Sequence, residues 1–207
     1  MRSKEQLRKE IQRLSKARPF YQYVEVAPGV FTKRKEHGKA LRRTEPFTKW
    51  VKKYVEEHHE VIDIGCCSGL YSLTAAEVCK SAMGVDIDRN FINQARWLHG
   101  VWKEKTGLPL ENVSFHTLDI NKRTELLQRS NFMIAAKVLY HWDFKAGIHG
   151  FMRHVKKSPI KTILAQGHTT RGRFGTTDGM KFLFKSYGFA PKLLENVREY
   201  PIVIAQR

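Results

Sequence analysis

The residues from Asp63 to Asp86 are the first whose types and spacing could do chemistry. An apolar run, Val61-Ile62-Asp63-Ile64, stops at Gly65-Cys66-Cys67-Ser68-Gly69. Gly65 lets the chain turn sharply and Gly69 lets a following helix approach closely; the small residues between them leave room for a ligand against the backbone. Asp86 ends a second apolar run, 21 residues after Gly65. That interval puts a carboxylate beside a nucleoside bound over the loop, where it can accept both ribose hydroxyls. Cys67 and Leu70 stand where a Gly-x-Gly-x-x-Gly pattern would carry its second and third glycines. This counts against a pyrophosphate cofactor and leaves a nucleoside without phosphates. Cys66 and Cys67 read as small packing residues rather than reactive thiols.

Strand-helix alternation must position these groups. After the first strand comes a helix over Leu70 to Lys80, a strand over Ala82 to Ile87, and a helix over Arg89 to Glu104 with Phe91, Ile92, Ala95 and Leu98 on one face. Strands follow at Val113–His116, Asn131–Ala136 and Thr162–Ala165, with helices over 144–157 and Gly179–Tyr187. Pro191–Leu194 and Ile202–Ala205 can close a C-terminal hairpin. Continuous apolar strands alternating with helices predict an α/β doubly wound sheet with helices on both faces. Ligands bind such sheets outside the carboxyl ends of the strands.

Upstream, Ser3 can cap a helix to Lys16 whose Leu7, Ile11 and Leu14 share a face opposite a Lys/Arg-rich one. Tyr21 to Val26 has strand composition and ends at Ala27-Pro28-Gly29; a helix is expected from about Glu45, with Phe47, Trp50, Val51 and Tyr54 on its apolar face. Charge is concentrated here. The whole chain carries 37 Lys+Arg against 20 Asp+Glu, a net of +17, and residues 1–53 hold 16 of the bases but five of the acids. The reading divides the chain into a basic N-terminal extension, 1–44, and a ligand-binding domain, 45–207. A surplus of this size suggests a polyanionic partner, most often nucleic acid.

Other classes fall away. No apolar run is long enough for a transmembrane helix, and Met-Arg-Ser-Lys-Glu-Gln-Leu-Arg-Lys-Glu opens no secretory signal, so no membrane partner and a cytoplasmic location are expected. Three cysteines make no disulfide framework and show no zinc spacing, so no metal is expected.

The stretch Val61 to Gly69, then Gly84-Val85-Asp86-Ile87-Asp88, then Leu118-Asp119-Ile120, resembles the class I S-adenosylmethionine-dependent methyltransferases over about residues 45 to 207. The resemblance implies a Rossmann-like seven-stranded sheet whose last strand is antiparallel. By position, Asp63 and Gly65 would orient the methionine part of S-adenosyl-L-methionine, Asp86 would hold the ribose, and Asp119 with Ile120 would flank the adenine. Cys67, Gly69, Ile87 and Lys137 complete the expected cofactor set; Cys67 departs from the family's usual glycine. More narrowly, Val138-Leu139-Tyr140-His141 and the upstream Tyr23 to Thr32 are similar to the bacterial tRNA wobble-uridine carboxymethyltransferases and their relatives. Those can use a carboxylated donor, which needs a basic group near the extra carboxylate. No such group is evident from sequence, and the donor is read as S-adenosylmethionine.

Transfer from a sulfonium needs chiefly an in-line nucleophile, and a base only where the nucleophile must lose a proton. Tyr140 and His141, after the fourth strand, are the candidates to position an acceptor or take its proton, and Trp142 could stack on a base. An Asn/Asp-Pro-Pro-aromatic sequence is absent there and no cysteine lies beyond Cys79, which argues against adenine or cytosine amino methylation and cytosine C5 chemistry. The leading expectation is therefore an RNA methyltransferase, tRNA first. Arg8, Lys9, Arg34, Lys35, Arg42 and Arg43 are read as phosphate contacts, and the run Arg171-Gly172-Arg173-Phe174-Gly175 as a glycine-loosened loop able to close over substrate. The alternatives are a small-molecule methyltransferase with the N-terminal segment as a lid, and a non-catalytic nucleic-acid-binding module.

Overall fold

Successive side chains of a strand point to opposite faces of its sheet, so a strand buried on both faces must be apolar throughout. The strand Phe132–Ala136 (β6) meets that condition: Phe132, Met133, Ile134 and Ala135 are fully buried. The computed structural model describes residues 2–33, 37–142 and 147–207, with the backbone alone at 37–43.

The chain opens with α1 (Lys4–Ala17), the short strands β1 (Glu25–Ala27) and β2 (Val30–Phe31), and α2 (His37–Tyr54). Then come β3 (Glu60–Ile64), α3 (Leu70–Ala76), β4 (Ser81–Asp86), α4 (Arg89–Thr106) and β5 (Val113–Thr117). After β6 follow α5 (Gly147–Lys157), β7 (Thr162–Gln166), α6 (Thr177–Ser186), β8 (Ala190–Val197) and β9 (Tyr200–Gln206). The sheet order is β5-β4-β3-β6-β7-β9-β8; β9 runs antiparallel to both its neighbours, and the other pairings are parallel. The α/β, Rossmann-like seven-stranded sheet implied by the resemblance is present. Strand order reverses between β3 and β6, which opens a crevice at their carboxyl ends.

Two cores cover the two faces. One joins α1, α2, α3 and α4 through residues such as Leu7, Phe47, Leu73 and Leu98; the other joins α5 and α6 through Phe151, Met152, Leu183 and Phe184. The alternation is visible in β3, where Val61 enters the first core while Ile62 and Ile64 enter the second.

The N-terminal segment departs from expectation in two ways. Of Tyr21–Val26, Glu25 and Val26 alone enter a strand; Gln22 accepts from Ser68 and Leu70, and Val24 exchanges hydrogen bonds with Thr32 just beyond the β1–β2 pairing. The helix expected from Glu45 begins at His37 and carries Pro46 in its interior, so it crosses the 44/45 division. As its apolar stripe allows, α1 is docked as well as basic, with Leu7 and Ile11 against the first core. Ser3 and Gln6 form a capping box, Glu10 accepts from the Trp97 indole on α4 at 2.6 Å, and Arg2 pairs with Glu10 and with Glu104. Further on, α3 is shorter than expected, and the helix expected from 144 is described from Gly147.

Candidate active site

Five strand ends converge on one cavity of about 580 Å³. Gly65 follows β3, Asp86 ends β4, Asp119 lies just past β5, Lys137 follows β6, and His168 lies just past β7. Of the residues expected from sequence, Gly65, Cys67, Asp86, Ile87, Asp119, Ile120, Lys137, Tyr140, His141, Trp142 and Arg171 line it.

The β3–β5 side is acidic and apolar. Asp86 Oδ2 accepts from the Cys67 N–H at 3.0 Å and Oδ1 from the Asp88 N–H at 2.9 Å, so the second-strand acid also organises the loop. Burial pushes its carboxyl above the usual range. Asp119 caps a 3-10 turn by accepting from the Asn121 N–H. Between these acids lie Ile64, Val85, Phe91, Leu118 and Ile120. Ile87 also lines the cavity while 72% exposed, more than any other large apolar side chain among the described residues. Such a side chain beside a concave wall is poised to be covered by a ligand.

Asp63 and Gly69 lie beneath the cavity rather than on its wall. Asp63 shares the α3 face of β3 with Val61; its Oδ2 accepts from the Ser72 hydroxyl at 2.7 Å, while Oδ1 is buried without a hydrogen-bond partner among the described residues. Burial, with Asp86 nearby, pushes its carboxyl up to about 7. Gly69, at φ +80°, starts α3 so close to β5 and α4 that a Cβ would lie 2.6 Å from Phe115.

The β6–β7 side is aromatic and cationic. The Lys137 ammonium lies over the rings of Tyr21 at 5.1 Å and Tyr200 at 5.5 Å. Tyr140 is buried against His141 and His168, and burial raises its phenol. His141 is held below the usual imidazole value by burial and by the Arg171 guanidinium, so it is neutral at pH 7 and able to accept a proton. Trp142 reaches the cavity but packs its ring on Phe151 at 4.6 Å.

Two expectations need correction. Arg173 is not on the cavity wall; its guanidinium stacks on Phe182 at 4.6 Å. Gly175 serves packing: Arg173–Gly175 is a 3-10 turn with Phe174 buried, and a Cβ at Gly175 would meet the His168 carbonyl at 2.2 Å. Arg34 and Lys35 lie outside the described residues, as do the side chains of Arg42 and Arg43.

Sequence reasoning missed Arg18, Tyr21, Phe91 and His168 on the wall. His168 was findable, since it follows a strand's carboxyl end as the others do. Arg18 and Tyr21 come from an irregular segment after α1, where no periodicity points inward. Arg18 pairs with Asp88 at 3.4 Å and lies over Phe91 at 5.0 Å. Among the described residues no cluster could hold a metal ion, and no helix is long and apolar enough to cross a membrane.

A family model described as a methyltransferase domain matches residues 56–173, and the chain belongs to that family. No curated protein matches by sequence. Solved structures share the fold at low identity. Magnesium protoporphyrin IX methyltransferase (ChlM) from Synechocystis PCC 6803, with bound SAM, is 16% identical with a TM-score of 0.60, over 79% of this chain and 77% of that one. The bifunctional kinase-methyltransferase WbdD is 18% identical with a TM-score of 0.67; the match covers 95% of this chain but 46% of that one. The methyltransferase domain of bacterial CtHen1 is 13% identical with a TM-score of 0.60, over 81% of this chain and 98% of that domain.

Proposed function

We propose that the chain transfers a methyl group from S-adenosyl-L-methionine to RNA, tRNA being the first substrate to test. The observation that carries this reading is the division of the cavity. Asp86, Asp119 and apolar side chains line the β3–β5 side, with Arg18 over Phe91 at its margin, and Lys137, Arg171, the histidines and tyrosine rings line the β6–β7 side. The first half suits an uncharged nucleoside joined to an amino acid. Asp86 accepts the ribose hydroxyls, Ile87, Leu118 and Ile120 enclose the base, and the orphaned Asp63 Oδ1 lies beneath the loop that orients the amino acid. The residues therefore fit S-adenosyl-L-methionine, whose sulfonium supplies a strong electrophile when bound.

The second half suits a flat, electron-rich acceptor beside an anion. Tyr21 offers a stacking surface, Arg171 offers a phosphate contact, and neutral His141 takes a proton where the acceptor must lose one. Placing the acceptor in line is the remaining task. The exposed basic face of α1 leads through Arg18 into the wall, and so gives a polyanion a path to the mouth.

A second reading, methylation of a small molecule, is favoured by Arg18 and Tyr21 closing the cavity as a lid would. Labelled S-adenosylmethionine incubated with the protein and either total tRNA or a metabolite extract separates the two. Label in tRNA that is lost in Asp86→Ala supports the first; label confined to the metabolite fraction overturns it.

A further inference from the structure

Helix α3 lacks a cap of its own. It starts at Gly69, which has no side chain to accept the first-turn N–H groups. The missing acceptor comes from outside the sheet. Gln22 Oε1, buried, accepts from the Leu70 N–H at 3.1 Å and from the Ser68 hydroxyl at 2.9 Å. The glutamine is itself anchored. Its carbonyl accepts from Thr32 Oγ1 at 2.8 Å, and the Arg18 carbonyl four residues earlier accepts from Gln94 Nε2 at 2.5 Å.

The loop needs such a fixture. Cys67 adopts φ +50°, a left-handed conformation that costs a non-glycine residue energy and persists where its surroundings over-determine it. Asp86 grips the Cys67 N–H from one side, and Gln22 holds Ser68 and Leu70 from the other. Gln22 is not on the cavity wall.

We propose that Gln22 is a positioning residue for cofactor binding: it caps α3 from a distance and so holds the Gly65–Gly69 loop in its binding conformation. The cofactor half of this inference rests on the reading that the loop receives the methionine part.

The test uses the full chain as wild type, Gln22→Leu and Gln22→Glu. S-adenosylhomocysteine binding is measured by calorimetry and amide hydrogen exchange is read across residues 66–72. Leucine removes the acceptor; glutamate keeps it and suits a helix N-terminus. Gln22→Leu is expected to weaken binding about tenfold, from the loss of two hydrogen bonds, and to speed exchange at Leu70. It should raise the KM for S-adenosylmethionine while leaving kcat at saturation near wild type, and Gln22→Glu should restore both affinity and protection. Unchanged affinity in Gln22→Leu, or unchanged exchange at Leu70, overturns the proposal. If the wild type binds no S-adenosylhomocysteine, the methyltransferase reading and the positioning role fall together, while exchange at Leu70 still decides the cap. Should Gln22→Leu not fold, Ser68→Ala removes one of the two donors and is expected to weaken binding two- to threefold; no change there overturns the proposal equally.

Discussion

Cys67 and Asp86 are joined by a 3.0 Å hydrogen bond from the backbone N–H of one to the carboxylate of the other, so the first-strand loop and the second-strand acid form one unit. Asp86→Ala would strip acceptors from both the Cys67 and Asp88 N–H groups. A loss of about 1–3 kcal/mol in stability is expected from the unsatisfied donors. S-adenosylhomocysteine binding should fall below detection in calorimetry, whereas Asp86→Asn keeps one of the two acceptor oxygens and should lose part of the stability and most of the affinity.

Asp63 sets a pH dependence of stability. Its folded-state value of about 7 exceeds the usual carboxylate value of 3.8. The folded state thus binds the proton more tightly than the unfolded chain, and the associated stability is present below about pH 4 and lost as pH rises to about 7. Asp63→Asn keeps an acceptor for Ser72 without the charge. Denaturant titrations between pH 4 and 8 should show the variant gaining on the wild type as pH rises; parallel curves would contradict this.

Gly69→Ala meets two obstacles at once, a left-handed φ of +80° and a Cβ 2.6 Å from the Phe115 ring and 2.9 Å from the Ala95 Cβ. Overpacking and strain of this kind cost about 1–3 kcal/mol. Thermal unfolding should shift down by roughly 2–12 °C.

His141, held low by burial and Arg171, should titrate kcat/KM below the ordinary imidazole value of 6.5, with activity lost as pH falls and flat above. Arg171→Gln removes one cause and should move that limb to higher pH. Where the acceptor loses a proton in the step, His141→Gln should cost about a hundredfold or more in kcat.

Deleting residues 1–18 would be a poor test of RNA binding, because Arg18 belongs to the cavity wall. Neutralising Arg8, Arg13 and Lys16, exposed on α1, leaves the wall and the docked face intact. The salt slope of tRNA binding should fall by roughly one for each phosphate contact removed, with S-adenosylhomocysteine affinity unchanged. An unchanged slope would remove α1 from the RNA path.

Gly65 and Asp86 were legible as cavity residues because they stand at the carboxyl ends of apolar strands, where sheet topology opens the crevice; Asp119, just past β5, was legible only through the family resemblance. The wall contributed by Arg18 and Tyr21 was not, since side chains in irregular backbone obey no period. Tyr21–Val26 has the aromatic and β-branched content of a strand, yet Gln22 faces the start of α3, a tertiary contact that propensity does not encode. Around Gly175 the error was one of meaning. Glycine permits either freedom or close contact, and here the His168 carbonyl takes up the space.

The docking of α1 has a geometric consequence. Because Glu10 and Glu104 hold Arg2, and Glu10 also holds Trp97, the basic helix cannot swing relative to the cavity. A helix of 14 residues is about 21 Å long. If RNA is the acceptor, α1 would act as a ruler rather than a tether, presenting its basic side chains at a fixed reach from the cavity.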